Sequence, residues 1–440
     1  MEWKKEIKIL FWMTVVFLGA FLMPLENSRF SDAIMAMFDL TRWYAREHVI
    51  LCLLPAFFIA GVISVFVSQG AVMKYFGAQA KKWLSYSVAS VSGTILAVCS
   101  CTILPLFSSI HKRGAGLGPA IAFLYSGPAI NILAIILTAR ILGFEMGIAR
   151  VVGAVLFAIV IGSIMSIIYR KEEKTKREEQ MNFSAMPEKR PMWQTAFHFF
   201  ILVLILVFAN WGKPGEGVTE GGWYWIWSNK WPITSVFAIL LAFSMIYILR
   251  LKWQHVIVVG IITATSALIF SNPMIPMLIG MAGISIITLI DKNDPENKEW
   301  TLSSWDFAKQ IMPLLAIGVL IAGFLLGSTH DDVAMAGIIP NEWVAKLVGG
   351  NSFFSNFFAS IVGAFMYFAT LTEVPILQGL IAAGMGKGPA LALLLAGPSL
   401  SLPNMLVIRG VIGTQKTVVY VLLVIVMATL SGLIYGFLFA

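Results

Sequence analysis

The chain has 440 residues, of which 58% are hydrophobic and 12% charged, with a formal net charge of +8 and a mean hydropathy of +0.84. A soluble domain carries about 25% charged residues. This composition therefore excludes a water-soluble globular fold and points to a bilayer, where each spanning helix needs roughly 20 apolar residues. The basic excess lies in short loops beside apolar runs, the bias expected on the cytoplasmic side, and no nucleic-acid motif accompanies it.

Apolar segments run over 6–24, 48–69, 84–110, 118–143, 146–170, 194–211, 233–250, 254–270, 273–290, 307–327, 353–381, 388–410 and 415–438. The first follows Lys4, Lys5 and Lys8 and lacks a small-residue cleavage site. It reads as a retained span with a cytoplasmic N-terminus. The three cysteines, Cys52, Cys99 and Cys101, sit in apolar surroundings and form no disulfide framework. Residues 171–193 are rich in both charges, with Lys/Arg in excess, and read as a mobile cytoplasmic linker. The loop 212–231 carries Trp223, Tyr224, Trp225, Trp227 and Trp231, rings that favour the headgroup layer, and is expected outside. The expected division is 1–170 as a first membrane half, 171–193 as linker, 194–306 as central helices and 307–440 as a second half.

The two halves repeat. An offset of 270 (363 − 93) places Gly93 on Gly363, Thr102 on Thr372 and Pro105 on Pro375. It also places Gly114, Gly116 and Gly118 on Gly384, Gly386 and Gly388, Gly127-Pro128 on Gly397-Pro398, and Gly143 on Gly413. A cytoplasmic N-terminus and a cytoplasmic linker cannot be separated by an odd number of spans. Making 84–110 re-entrant, broken at Cys99-Ser100-Cys101-Thr102 and Pro105, resolves the parity. By the same logic 353–381 is re-entrant from the other side. The fold class is an all-α polytopic membrane protein with two inverted structural repeats and broken or re-entrant helices, a recurring transporter design. The alternative is a single kinked span over 84–110.

Candidate chemistry clusters at the breaks. Gly127-Pro128 and Gly397-Pro398 free backbone groups inside helices, which a membrane tolerates where protein buries them or water reaches them. Ser126, Asn131, Ser401 and Asn404 flank them, so a solute site is expected there, with Thr370 and Thr372 beside it. An ordinary kink is the competing reading. Glu373 is a carboxylate at membrane depth, costly unless used, and is expected to bind a cation or couple protons. Cys99, Ser100, Cys101, Thr102 and Pro105 form the other candidate. Two thiolates in an unwound segment would suit a soft, thiophilic solute, although buried cysteines also serve as small hydrophobes. The Gly-rich loops before Pro119 and Pro389 read as tight turns, or as anion cradles at a helix start. Arg140 and Arg409 read as interfacial anchors, Cys52 as a small hydrophobe, and His198 as a residue with no evident partner. No cofactor, resident metal or ATP-binding motif is expected. The partners are the bilayer and a small-molecule or ion solute; a homodimer is compatible, and no residue specifies it.

The runs Cys99-Ser100-Cys101-Thr102-Ile103-Leu104-Pro105, Arg113 to Leu124 and Ser126-Gly127-Pro128-Ala129-Ile130-Asn131 carry a resemblance, together with Leu371-Thr372-Glu373-Val374-Pro375 and Gly397-Pro398-Ser399-Leu400-Ser401. The chain resembles the predicted-permease family of YraQ, grouped with the organoarsenical efflux permeases. The resemblance implies a permease of the bacterial inner membrane and, for some relatives, export of trivalent organoarsenicals, which bind thiols. The organoarsenical branch has a Thr-x-Thr-Pro motif; here Glu373-Val374 intervenes between Thr372 and Pro375. A passive channel, a membrane-embedded enzyme and an accessory subunit are the competing readings.

Overall fold

The computed structural model describes residues 3–67, 81–96, 100–181, 190–213, 220–330, 333–339, 347–366, 373–382 and 384–439. Helices α1 (Trp3–Phe21), α2 (Ser28–Tyr44) and α3 (Leu54–Phe66) open the chain, and a π-helical stretch, Ala45–Leu53, joins the last two. Asn27 caps α2 by accepting the N–H groups of Arg29 and Phe30. Pro55 sits in the first turn of α3, where its missing N–H costs nothing.

Five helices build the first half: α4 (Lys82–Leu96), α5 (Ser100–Lys112), α6 (Leu117–Ala129), α7 (Ile132–Ile141) and α8 (Phe144–Ile168). The linker region begins with a helix, α9 (Arg170–Met181). The central part holds α10 (Met192–Ala209), the short α11 (Gly222–Ser228), α12 (Lys230–Tyr247), α13 (Trp253–Ile269) and α14 (Met274–Ile290). The long α15 (Pro295–Leu326) follows, capped by Asp294, and then a hairpin of β1 (Gly327–His330) and β2 (Val333–Ala336), with Gly327 opposite Ala336. The second half is α16 (Phe353–Phe365), α17 (Glu373–Ala382), α18 (Lys387–Leu400), α19 (Leu402–Ile412) and α20 (Thr414–Phe439).

Among the described residues, five helices of the first half (α4–α8) and five of the second (α16–α20) follow one another in the same order, with starts and ends offset by close to the sequence repeat. Each of the apolar segments 84–110, 118–143, 353–381 and 388–410 contains two helices. Among the described residues six helices are long and apolar enough to cross a membrane, and the pair α18–α19, bent by 47°, makes a seventh if counted as one span. The equivalent helices α8 and α20 pack antiparallel. A Cβ on Gly153, early in α8, would lie 3.6 Å from the Ser431 hydroxyl, late in α20. At the other end Glu172, just beyond α8, pairs with Lys416 in the first turn of α20 at 2.5 Å.

Helix α15 is a spine for the bundle. Gly318 lets it touch Pro403 of α19, since a Cβ there would lie 2.5 Å from the Pro403 Cα. Trp300 is fully buried and donates its indole N–H to the Phe58 carbonyl of α3 at 2.8 Å. Arg190, at the described end of the linker region, grips the start of α15 through Asp294 at 2.5 Å and Glu296 at 3.1 Å. His198 does have a partner: its Nδ1 lies 2.8 Å from the Ser244 hydroxyl, and its ring meets Trp300 edge-on.

Candidate functional site

The site forms where the two Gly-Pro helices end. Pro128 lies in the last turn of α6 and Pro398 in the last turn of α18, so each helix loses a hydrogen bond just before it stops. Helix α6 gives way at Ile130-Asn131, and α18 gives way at Ser401. The helices cross at equivalent residues. The Tyr125 hydroxyl donates to the Leu395 carbonyl at 3.3 Å, and the Ser399 hydroxyl donates to the Tyr125 carbonyl at 3.1 Å. Ser126 donates to the Ala89 carbonyl of α4 at 3.1 Å. Gly127 admits Ile103 of α5, which would lie 2.6 Å from any Cβ there. Asn131 is buried in the break.

A break leaves helix-end carbonyls without intrahelical donors, and in a membrane something must satisfy them. Arg150 of α8 does this in the first half. It is fully buried. Its Nε donates to the Ala129 carbonyl at 2.8 Å and its Nη1 to the Thr138 hydroxyl at 2.9 Å. Its Nη2 forms an ion pair with Glu373, which is also fully buried and begins α17 of the second half. In the second half the matching residue is Tyr420, whose hydroxyl points at the matching carbonyl, Ser399, at 3.5 Å. One break is therefore capped by a cation paired with a carboxylate, the other by a neutral phenol.

Glu373, which the sequence marks as a buried carboxylate, is buried and paired across the two halves. Arg150 was missed. Its signal was a lone arginine inside the apolar run 146–170, close enough to the start of that run to pass for an interfacial residue. Ser401 and Asn404 are 2% exposed each, and the Ser401 Oγ and Asn404 Oδ1 atoms have no hydrogen-bond partner among the described residues. Such orphaned polar atoms are uncommon in folded proteins and call for a ligand, an ion or water.

Thr102 of α5 is fully buried, with its hydroxyl 3.4 Å from the Cys52 sulfur. Cys52 is buried as expected of a small hydrophobe, and it lies beside the residue that follows Cys101. Pro105 lies inside α5. Ser100 and Cys101 belong to the start of α5, but their side chains lie outside the described residues, as do Cys99, Thr370 and Thr372. The side chain of Arg140 also lies outside them. Arg409 is exposed at the end of α19, with its Nε on the Thr414 hydroxyl at 2.9 Å, which suits an interfacial anchor.

The Gly-rich loops are tight turns. Gly114 and Gly384 adopt φ of +97° and +102°, a region that favours glycine. The first loop also holds an anion, and the chain supplies it. Glu173 of α9 accepts the N–H of Leu117 at the start of α6, and the Ser166 hydroxyl donates to the same carboxylate at 3.2 Å. A carboxylate at a helix start is electrostatically favourable. Among the described residues no group of three His, Cys, Asp or Glu side chains is placed to hold a metal ion.

A family described as a predicted permease matches residues 34–437. The chain is 42% identical over 393 residues to UPF0718 protein MJ0584 of Methanocaldococcus jannaschii, covering 89% of this chain and 93% of that protein. It is 29% identical over 114 residues to UPF0718 protein YraQ of Escherichia coli, covering 25% of this chain and 28% of that protein. It is 23% identical over 123 residues to UPF0718 protein YcgR of Bacillus subtilis, covering 28% and 41% respectively. No solved structure matches the chain.

Proposed function

This chain belongs to the predicted-permease family, and from that premise we propose that it is a secondary transporter with inverted repeats, moving a small solute past the paired helix breaks of its two halves. The Arg150–Glu373 pair carries this reading. Two charges are costly to bury, and this pair joins the first half to the second at the helix break itself. A buried carboxylate facing one cation can trade that partner for a proton or for a cationic group. Such an exchange would release Arg150 from Glu373 and free the two halves to move. The antiparallel packing of α8 on α20 supports the inverted arrangement, in which equivalent helices run in opposite senses through the bilayer. The orphaned Ser401 and Asn404 supply polar contacts for the solute, with Ser126 and Asn131 at the matching break and Thr370 and Thr372 ahead of α17.

The solute class we favour is thiol-reactive: an organoarsenical or a soft metal ion, exported across the plasma membrane. The support is Cys99 and Cys101 in the sequence, and the nearness of Cys52 to Thr102, the residue after Cys101. The test is growth of a sensitive host expressing the chain or its Cys99→Ser/Cys101→Ser variant, at matched membrane levels. The challenge panel is trivalent methylarsenite, arsenite and soft metal ions. Protection by the parent alone supports thiol-guided export. Equal protection by both removes the thiols from the mechanism, and protection by neither removes this solute class.

A further inference from the structure

A cavity lies away from the repeats, among the central helices. It has a volume of about 390 Å³ and is bounded by α3 and α10 and by α12, α13, α14 and α15, with Phe58, Trp231, Phe270 and Trp300 among its walls. We propose that this cavity binds an uncharged, largely apolar molecule that carries one hydrogen-bond acceptor and is taken up from the bilayer. The volume falls in the range of small-molecule pockets, which are mostly apolar with a few placed polar groups.

The chemistry of the wall selects the occupant. None of the lining residues is charged, so an ion would be left unpaired there at high cost. Three of the side-chain donors on the wall are already engaged. Thr234 donates to the Lys230 carbonyl at 2.7 Å, Ser235 to the Trp231 carbonyl at 2.9 Å, and Trp300 to the Phe58 carbonyl at 2.8 Å. Thr263 departs from this pattern. Its neighbours on α13, Thr265 and Ser266, fold their hydroxyls back onto their own helix. The Thr263 hydroxyl is buried and has no hydrogen-bond partner among the described residues. It lies against Gly280, whose missing side chain keeps that stretch of wall open.

Three candidate occupants can be weighed against that hydroxyl. A water molecule on Thr263 would leave most of this apolar volume unfilled. A plain hydrocarbon or lipid tail fills the apolar space but leaves the donor unmet, which is unfavourable. A neutral molecule with a carbonyl or ether oxygen satisfies both requirements. The outer faces of α13 and α14 expose Ile261, Ile262 and Ile286, as lipid-facing helices do, so the route in is lateral. The inference does not rest on the Arg150–Glu373 pair, and either reading can fail alone.

The test uses the full chain in lipid nanodiscs and two diazirine photoprobes of equal length, a long-chain methyl ketone and the corresponding alkane, with adducts located by mass spectrometry. Saturable ketone adducts are expected on cavity-lining residues of α12, α13 and α14. Thr263→Val should weaken ketone half-saturation about tenfold and leave the alkane unchanged. Gly280→Phe should fill the chamber and remove both labels, while labelling of outward-facing Ile262 persists. If that variant does not fold, Ala238→Phe fills the chamber from α12. Equal labelling by ketone and alkane that ignores Thr263→Val would overturn the inference, as would adducts confined to outward-facing residues.

Discussion

The two helix breaks share backbone geometry and differ in what holds them. In the first half the carbonyl of Ala129 accepts a hydrogen bond from buried Arg150, whose charge is answered by Glu373 of the second half. In the second half the carbonyl of Ser399 faces the neutral hydroxyl of Tyr420. A duplicated scaffold can keep its Gly-Pro breaks, its crossing at Tyr125 and Leu395, and its left-handed glycines while its chemistry diverges. Backbone demands are the same in both halves, so glycine and proline recur. The charge pair spans the halves, and one pair suffices.

That contrast gives a graded set of expectations. The largest effect belongs to Arg150→Met, which leaves Glu373 buried without its cation. Unfolding followed by intrinsic fluorescence in detergent should show a loss of about 3–5 kcal/mol. The double variant Arg150→Met/Glu373→Gln should regain most of it, and a double variant as unstable as the single one would mean that Arg150 acts as a helix cap rather than a charge partner. Thr138→Val is next. It removes the acceptor of the Arg150 Nη1 proton and should cost about 1–2 kcal/mol, and when Arg150 is already Met that cost should shrink to the loss of the Thr138 bond to the Ala134 carbonyl. Glu173→Gln weakens the carboxylate at the start of α6 and should cost about 0.5–1 kcal/mol, with faster amide exchange at Leu117 as the local readout. Tyr420→Phe should be smallest, under about 1 kcal/mol, because a long neutral bond is lost. A Tyr420→Phe cost as large as that of Arg150→Met would erase the distinction between the two breaks.

Much of the architecture was legible in the sequence because it is written in glycine and proline. Gly93 and Gly363, the Gly-rich loops and the paired Gly-Pro motifs mark backbone positions that few other residues tolerate, so their offset located the duplicated helices. Glu373 was legible because a carboxylate inside an apolar run is costly unless it is paired or used. Arg150 was not, since six residues into α8 an arginine reads as an anchor reaching for water. Its burial depends on the end of α6 and on a glutamate 223 residues away (373 − 150), and no local pattern encodes that packing. The same holds for Glu173, which sits in a charge run that reads as solvated and yet caps α6. His198 found its partner on a helix 46 residues on. Sequence patterns report what one element needs, and these residues report where two elements meet.

The exchange of Arg150 for a proton at Glu373, proposed above as a step that frees the two halves, is open to a direct test. The direct measurement is solid-supported membrane electrophysiology on proteoliposomes holding equal amounts of parent or Glu373→Gln protein. A pH step would be applied in the presence of each solute that the growth assay selects. The account predicts a solute-dependent transient current driven by the pH step in the parent and none in Glu373→Gln, with solute binding retained in both. Currents of equal size and pH dependence in the two proteins would contradict it and return the Arg150–Glu373 pair to a purely architectural role.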